Sequence, residues 1–245
     1  MEEENWKTRT HLLLKDETVI RLSNAKVLVV GLGGVGAYAA EMLCRAGIGN
    51  LHIIDNDKIS ASNINRQLLA LKSTVGISKV LLMKERLLDI NPKLNLKAEE
   101  IYLTYNILNE ILDKDYDYII DAIDTIAPKV GLLEYAINNN IQVISSMGSG
   151  GKTNPALIQI ADFSETYNDK LARTIRKRLH KRGIYTGFKV VFSPEQSSPH
   201  AIKPIENESN KKTTVGTISY MPAMFGNFMA AEIIRSIGEI VDYKY

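Results

Sequence analysis

The strongest constraint on this chain is the run GLGGVG at residues 31–36, set between a β-branched apolar stretch, KVLVV at 26–30, and a helix-forming stretch at 35–46 that ends on Gly47. A short, continuously apolar run that stops at glycines suits a parallel strand buried on both faces. NLHII at 50–54 supplies a second such strand, closing on Asp55, so the region reads as strand, glycine turn, helix, strand. Gly31, Gly33 and Gly36 hold the GxGxxG positions, with Gly34 beside them. Glycine lets the chain turn tightly and brings backbone close to a phosphate, while the following helix aims free N–H groups and its positive dipole end at that anion. Asp55 falls about 20 residues after the loop, where an acid accepts hydrogen bonds from ribose hydroxyls. A nucleotide site is the reading that follows.

The alternation continues with a helix at 75–88, a strand at 117–120, a helix at 128–138 and a strand at 141–146. This predicts an α/β fold with a doubly wound, mostly parallel, Rossmann-like sheet. In the second half, an apolar run at 157–160, a basic helix at 169–182 and a strand at 189–192 extend the same sheet. Residues 193–213 carry three of the seven prolines and no apolar period, which predicts a mobile surface loop. Residues 222–237 form a helix rich in Met and Phe, for the core or for a subunit interface. With 45% hydrophobic residues in 245, one domain accounts for residues 1–245. It divides into an N-terminal helical arm (1–25), a nucleotide-binding half (26–150) and a half for substrate binding and dimerisation (151–245). No apolar run reaches the roughly 18–20 residues of a membrane span, and MEEENWKTRT is too polar for a secretory signal, so a cytoplasmic protein is expected. The single cysteine, Cys44, rules out an intramolecular disulfide, a CxxC redox pair and a zinc ribbon.

The glycine loop alone does not separate NAD from ATP. Beyond the second strand, Asp57 precedes the run SNINRQ, which places Asn63, Arg66 and Gln67 near the ends of the strands. A guanidinium there holds two phosphate oxygens at once. Lys79, in GISKV, offers a second cation, and Asp124, after the strand DYIIDA, suits Mg²⁺ or the phosphates held through it. Each of these charges taken alone also fits a solvated surface. Two added cations and a metal-binding acid fit a triphosphate better than a dinucleotide.

GLGGVG, IGNLHIIDNDKISASNINRQ, GISKV and AIDT, in this order and spacing over about residues 9–150, resemble the ubiquitin-activating-enzyme-like (HesA/MoeB/ThiF) ATP-dependent adenylyltransferases. The resemblance implies that Asp55 binds ribose, that Asn63, Arg66 and Lys79 bind ATP phosphates, and that Asp124 handles Mg²⁺ or the α-phosphate. It also implies a homodimer in which Arg9, in KTRTHLLL, reaches the partner's ATP. The chain departs from many relatives in lacking CxxC pairs and a second-half cysteine nucleophile, and Cys44 reads as a small buried residue. The glycines at 148, 150 and 151, DKLARTIRKRL, KVVFSPE and GTISYMPAMFG are similar instead to a narrower branch, the tRNA threonylcarbamoyladenosine dehydratases, extending the resemblance from Arg9 to about Ile237.

That branch implies activation of a threonyl carboxylate on a modified adenosine as its AMP anhydride, followed by ring closure within the side chain. No enzyme cysteine is needed, because the second step is intramolecular. The catalytic set is then Arg9, Arg66, Lys79 and Asp124. Residues 170–212 hold 11 Lys/Arg against 3 Glu, and a stripe of Arg173, Arg176, Lys177 and Lys181 is the expected tRNA contact, extended by Lys203, Lys211 and Lys212. A solvated helix face is the alternative. A monovalent cation (Na⁺ or K⁺) near the 148–151 or 219–225 segments, and a sulfur-relay protein as a further partner, stay open. Two rival functions share the glycine loop. One is adenylation of a ubiquitin-like or sulfur-carrier protein, which the missing cysteines and the basic second half oppose. The other is an NAD-dependent oxidoreductase, which leaves Arg66, Lys79 and Asp124 unused.

Overall fold

A computed structural model describes residues 6–204 and 213–240. Its centre is a seven-stranded sheet of β1 (Lys26–Val30), β2 (Asn50–Asp55), β3 (Asn95–Glu100), β4 (Tyr118–Asp121), β5 (Gln142–Ser146), β6 (Gln159–Asp162) and β7 (Lys189–Phe192). The spatial order is β3-β2-β1-β4-β5-β7-β6, parallel throughout except for β6, which runs antiparallel to β7. The order reverses between β1 and β4, and the carboxyl ends of strands flanking such a switch point open a crevice.

The central strands carry continuous apolar runs because their side chains pack on both faces of the sheet. Val27 and Val29 of β1 pack with α2 (Asp16–Asn24), α3 (Gly36–Ala46), α4 (Lys79–Ile90) and α8 (Tyr220–Gly238). Leu28 and Val30 face the opposite layer, built from α5 (Leu108–Ile111), α6 (Ile126–Asn138) and α7 (Lys170–His180). A sheet covered on both faces needs continuous runs rather than alternation. α8 is a core helix: Met221, Phe225, Met229 and Ile233 are buried, and Gly226 lets it approach α3 so closely that an added Cβ would lie 2.3 Å from the Val35 carbonyl oxygen. The N-terminal arm adds α1 (Thr8–Leu13), which buries none of its side chains.

Three expectations are corrected. The helix read at 75–88 starts only at Lys79, because Gly76 takes a left-handed φ of 88° and Ser78 caps the helix, accepting from the Leu81 amide. Residues 76–79 instead run beside 57–59, with the Ile59 and Lys79 amides donating to the Ile77 and Asp57 carbonyls. β3 was not anticipated: NLKAEE is polar because it is an edge strand, paired with β2 alone. The segment read as a featureless loop at 193–213 contains β8 (Ile202–Pro204), which pairs antiparallel with β9 (Thr213–Val215). Lys211 and Lys212 lie outside the described residues. Among the described residues no helix is long and apolar enough to cross a membrane.

Candidate active site

A cleft of about 750 Å³ opens at the carboxyl ends of β1, β2, β4 and β5, within the size range of small-molecule sites. Gly31, Gly33, Gly34, Asp55, Asp57, Asn63, Arg66, Gln67, Lys79 and Asp124, all proposed from sequence, line it together. Two proposed residues do not. Gly36 stands behind the loop, where a Cβ would lie 1.8 Å from the Gly31 carbonyl oxygen, so its part is close packing of α3 on the turn. Arg9 is exposed on α1 and is not among the residues lining this cleft.

The turn itself is fixed from two sides. Gly31 has φ of 91°, and an added Cβ would sit 2.7 Å from the Ala122 carbonyl oxygen. The Asp55 carboxylate accepts from the Leu32 amide at 2.5 Å and from the Asp57 amide at 2.7 Å. Burial pushes the Asp55 carboxyl above the usual carboxylate range, against the opposing pull of Lys79 and the two amides. Asp55 thus braces the glycine turn while remaining on the cleft wall.

Two cations line the same cleft. Lys79 is 4% exposed, and its Nζ lies 2.7 Å from Asp57 Oδ2. The 76–79 segment delivers it there by running beside 57–59. Arg66 is half-buried, its Nη1 donating to the Ser62 carbonyl at 2.7 Å and to Asn65 Oδ1 at 2.9 Å. Asn63 closes the same turn by accepting from the Ser60 amide at 3.1 Å. Gln67 lines the cleft with a buried Oε1 that has no hydrogen-bond partner, a group that a ligand donor would satisfy. Asp124 is exposed in the loop between β4 and α6, two residues before the helix begins. Among the described residues no group of three or more His, Cys, Asp or Glu could hold a metal ion by itself. One carboxylate together with substrate phosphates is a common way to bind Mg²⁺, so Asp124 fits an ion that arrives with a polyphosphate.

Sequence reasoning singled out the glycines at 148, 150 and 151 and the GTISYMPAMFG run but did not place them on the other wall of the cleft. Met147, Gly148, Ser149 and Gly150 after β5, Leu171 at the start of α7, and Thr214 and Thr217 around β9 line the cleft beyond the phosphate side. Just past this loop, Lys152 is 4% exposed; its Nζ donates to the Ser193 and Glu195 carbonyls and lies 3.4 Å from Asp169. Asp169 in turn caps α7 by accepting from the Ala172 amide at 2.8 Å. Cys44 is buried in the core, and burial pushes its thiol up to about 11, which makes it inert as a nucleophile.

α7 starts at the cleft and carries a basic groove lined by Lys170, Arg173, Lys177, Arg178, His180 and Lys181. Arg176 is a correction to the stripe read from sequence. It turns inward, donates to the Thr166 carbonyl at 2.6 Å and to Thr166 Oγ1, and lies 5.6 Å from the Phe163 ring centre. Ala172, Ile175 and Leu179 are the buried face of α7, and position 176 borders it. Arg182 is likewise engaged, with Glu134 at 2.6 Å.

The sequence model of the ThiF family matches residues 8–244. The chain is 38% identical to the tRNA threonylcarbamoyladenosine dehydratase of Bacillus subtilis, over 97% of this chain and 96% of that protein. It is 34% identical to tRNA threonylcarbamoyladenosine dehydratase 2 of Saccharomyces cerevisiae, covering 92% of this chain and 55% of that protein. Its fold is similar to the crystal structure of the Escherichia coli tRNA N6-threonylcarbamoyladenosine dehydratase in complex with ATP. The TM-score is 0.84 at 31% identity, over 97% of this chain and 96% of the other. With the family model matching residues 8–244 and a relative 38% identical over nearly the whole of both chains, the chain belongs to the ThiF family.

Proposed function

We propose that this chain is an ATP-dependent tRNA threonylcarbamoyladenosine dehydratase. The observation that carries the reading is the convergence of Arg66 and Lys79 on the cleft that the glycine turn opens, in a chain with near-full-length similarity to proteins of that name. The cleft has a phosphate side and a second wall, as a reaction between ATP and another substrate requires. A carboxylate is a poor acyl donor because oxide is a poor leaving group. Its oxygen attacks the α-phosphorus of ATP, the bond to the β-phosphate oxygen breaks, and pyrophosphate leaves. Arg66 and Lys79 stabilise the charge that builds on the phosphates. Mg²⁺, held by Asp124 and the phosphates, supplies further neutralisation when bound. A nucleophile within the same side chain then attacks the acyl carbon and expels AMP, so the nucleoside loses one water. Thr217 and the loop at 148–150 would bound the space for this second substrate.

The tRNA reading is supported by the basic groove of α7, which continues outward from the cleft wall at Leu171. The double replacement Lys177→Glu and Lys181→Glu is expected to raise KM for tRNA at least tenfold and to flatten its salt dependence, with KM for ATP unchanged. Arg176→Ala is expected to lower Tm and leave KM for tRNA nearly unchanged, because that guanidinium is spent on Phe163 and Thr166. Equal tRNA defects in the two would remove the groove from the interface. A homodimer is supported by α1, where Leu12 and Leu13 are each 83% exposed; Arg9 on this helix is the residue that would enter the partner's cleft.

The deciding experiment measures AMP release from ATP with tRNA bearing threonylcarbamoyladenosine and with unmodified tRNA, and weighs the product nucleoside. AMP that appears only with modified tRNA, together with a nucleoside lighter by one water, is the expected result. ATP binding without AMP release or mass change would withdraw the RNA substrate.

A further inference from the structure

One buried charge pair beneath the cleft takes no part in the chemistry above. Lys129 on α6 and Asp121 at the end of β4 are both fully buried, with Nζ 2.8 Å from Oδ2. A buried ion pair adds little net stability over well-packed apolar groups of similar size, so its consequence is better sought in what it fixes. Two of the bonds it makes fall on a single residue, Ile123, and a third ties it to the neighbouring strand. Lys129 Nζ also donates to the Ile123 carbonyl at 3.1 Å. Asp121 Oδ1 accepts from the Ile123 amide at 3.2 Å, and Oδ2 accepts from Ser145 Oγ on the neighbouring strand at 2.6 Å. Ile123 is therefore held through both its N–H and its C=O. On the other side, Ala122 packs against the glycine turn: its carbonyl carbon and oxygen lie under 3 Å from where a Gly31 Cβ would be. The next residue is Asp124, and the chain re-enters helix two residues later at Ile126.

We propose that Lys129 is a positioning residue for Asp124: with Asp121 and Ser145 it clamps residues 121–123 against the glycine turn, and so sets where the Asp124 carboxylate meets the phosphates. The proposal rests on the cleft being the site of adenylate formation.

The test must keep the fold intact. Lys129→Met alone strands a buried carboxylate, so the informative protein is Lys129→Met/Asp121→Asn, which removes both charges together. Its Tm is expected to stay within a few degrees of wild type, and its Kd for a non-hydrolysable ATP analogue within about threefold, while kcat for AMP release falls at least tenfold. Adding Asp124→Asn to this protein is expected to lower kcat by less than about twofold more, because residues acting through one group show non-additive losses. Full additivity with Asp124→Asn, or an unchanged kcat in the charge-free protein, overturns the proposal while leaving the reading of the cleft in place. Wild-type protein that releases no AMP with modified tRNA overturns both.

Discussion

Lys79→Ala is expected to lower kcat/KM for AMP release by about 10²–10³-fold, the usual loss when one donor aimed at developing charge is removed from a preorganised site. The residue is nearly inaccessible at 4% exposure, so the carrier of its charge is set by the fold and not by a mobile side chain. Its partner Asp57 is 59% exposed. Water therefore takes over that carboxylate in the variant, and Tm is expected to change by no more than a few degrees. A large kinetic loss with an intact fold separates a phosphate ligand from a structural ion pair; a loss of stability with kcat preserved would assign Lys79 to the fold instead. The same variant tests whether Arg9 acts across a dimer. In a mixture of Lys79→Ala and Arg9→Ala chains, the mixed dimer holds one site with both residues intact. About one quarter of wild-type activity is expected after equal random mixing if sites are completed in trans. No recovery from the two inactive proteins would place Arg9 outside the partner's cleft.

What made the phosphate side legible is that its parts are local. A strand, a glycine turn, a helix start and an acid at the next strand end follow one another within residues 26–55, and each step is dictated by short-range backbone chemistry. Lys79 lines the cleft although its helix starts four residues later than the sequence pattern suggests, because a charge is legible in sequence whatever the helix start. The far wall of the cleft was not legible: Met147, Leu171, Thr214 and Thr217 come from segments that meet only when β5, α7 and the β8–β9 hairpin are assembled. Buried lysines are hidden for a related reason. Nothing in the local sequence of Lys129 in IAPKVG or Lys152 in GSGGKT reveals the carboxylates and carbonyls that receive them. Arg176 differs, since its misreading was avoidable. Three and four residues separate it from buried Leu179 and Ala172, so the apolar period already placed it at the edge of the core face.

The glycines of the turn offer a second large effect, and they divide by what each would strike. Gly36→Ala places a methyl group 1.8 Å from the Gly31 carbonyl oxygen and 3.0 Å from the Ala122 Cβ. The first contact is against backbone, so no neighbouring side chain can move aside, and the first turn of α3 must withdraw from the glycine loop. Overpacking of this kind costs about 1–3 kcal/mol, which for a domain of this size lowers Tm by about 2–12 °C. The amides at the helix start withdraw with it, and Kd for ATP is expected to rise more than tenfold although Gly36 itself does not line the cleft. Gly33→Ala is the contrasting case. Its nearest neighbour is the Gln67 amide nitrogen at 3.8 Å, so the free protein accommodates the methyl group and Tm is expected to hold. The methyl then projects into the space through which a phosphate approaches the backbone, and ATP binding is expected to weaken by at least tenfold with no loss of fold. Calorimetric unfolding and ATP titration of the two variants distinguish the roles. Should Gly33→Ala bind ATP as wild type does, the anion would have to sit elsewhere than over the glycine turn, and Arg66 and Lys79 alone would carry the phosphate site.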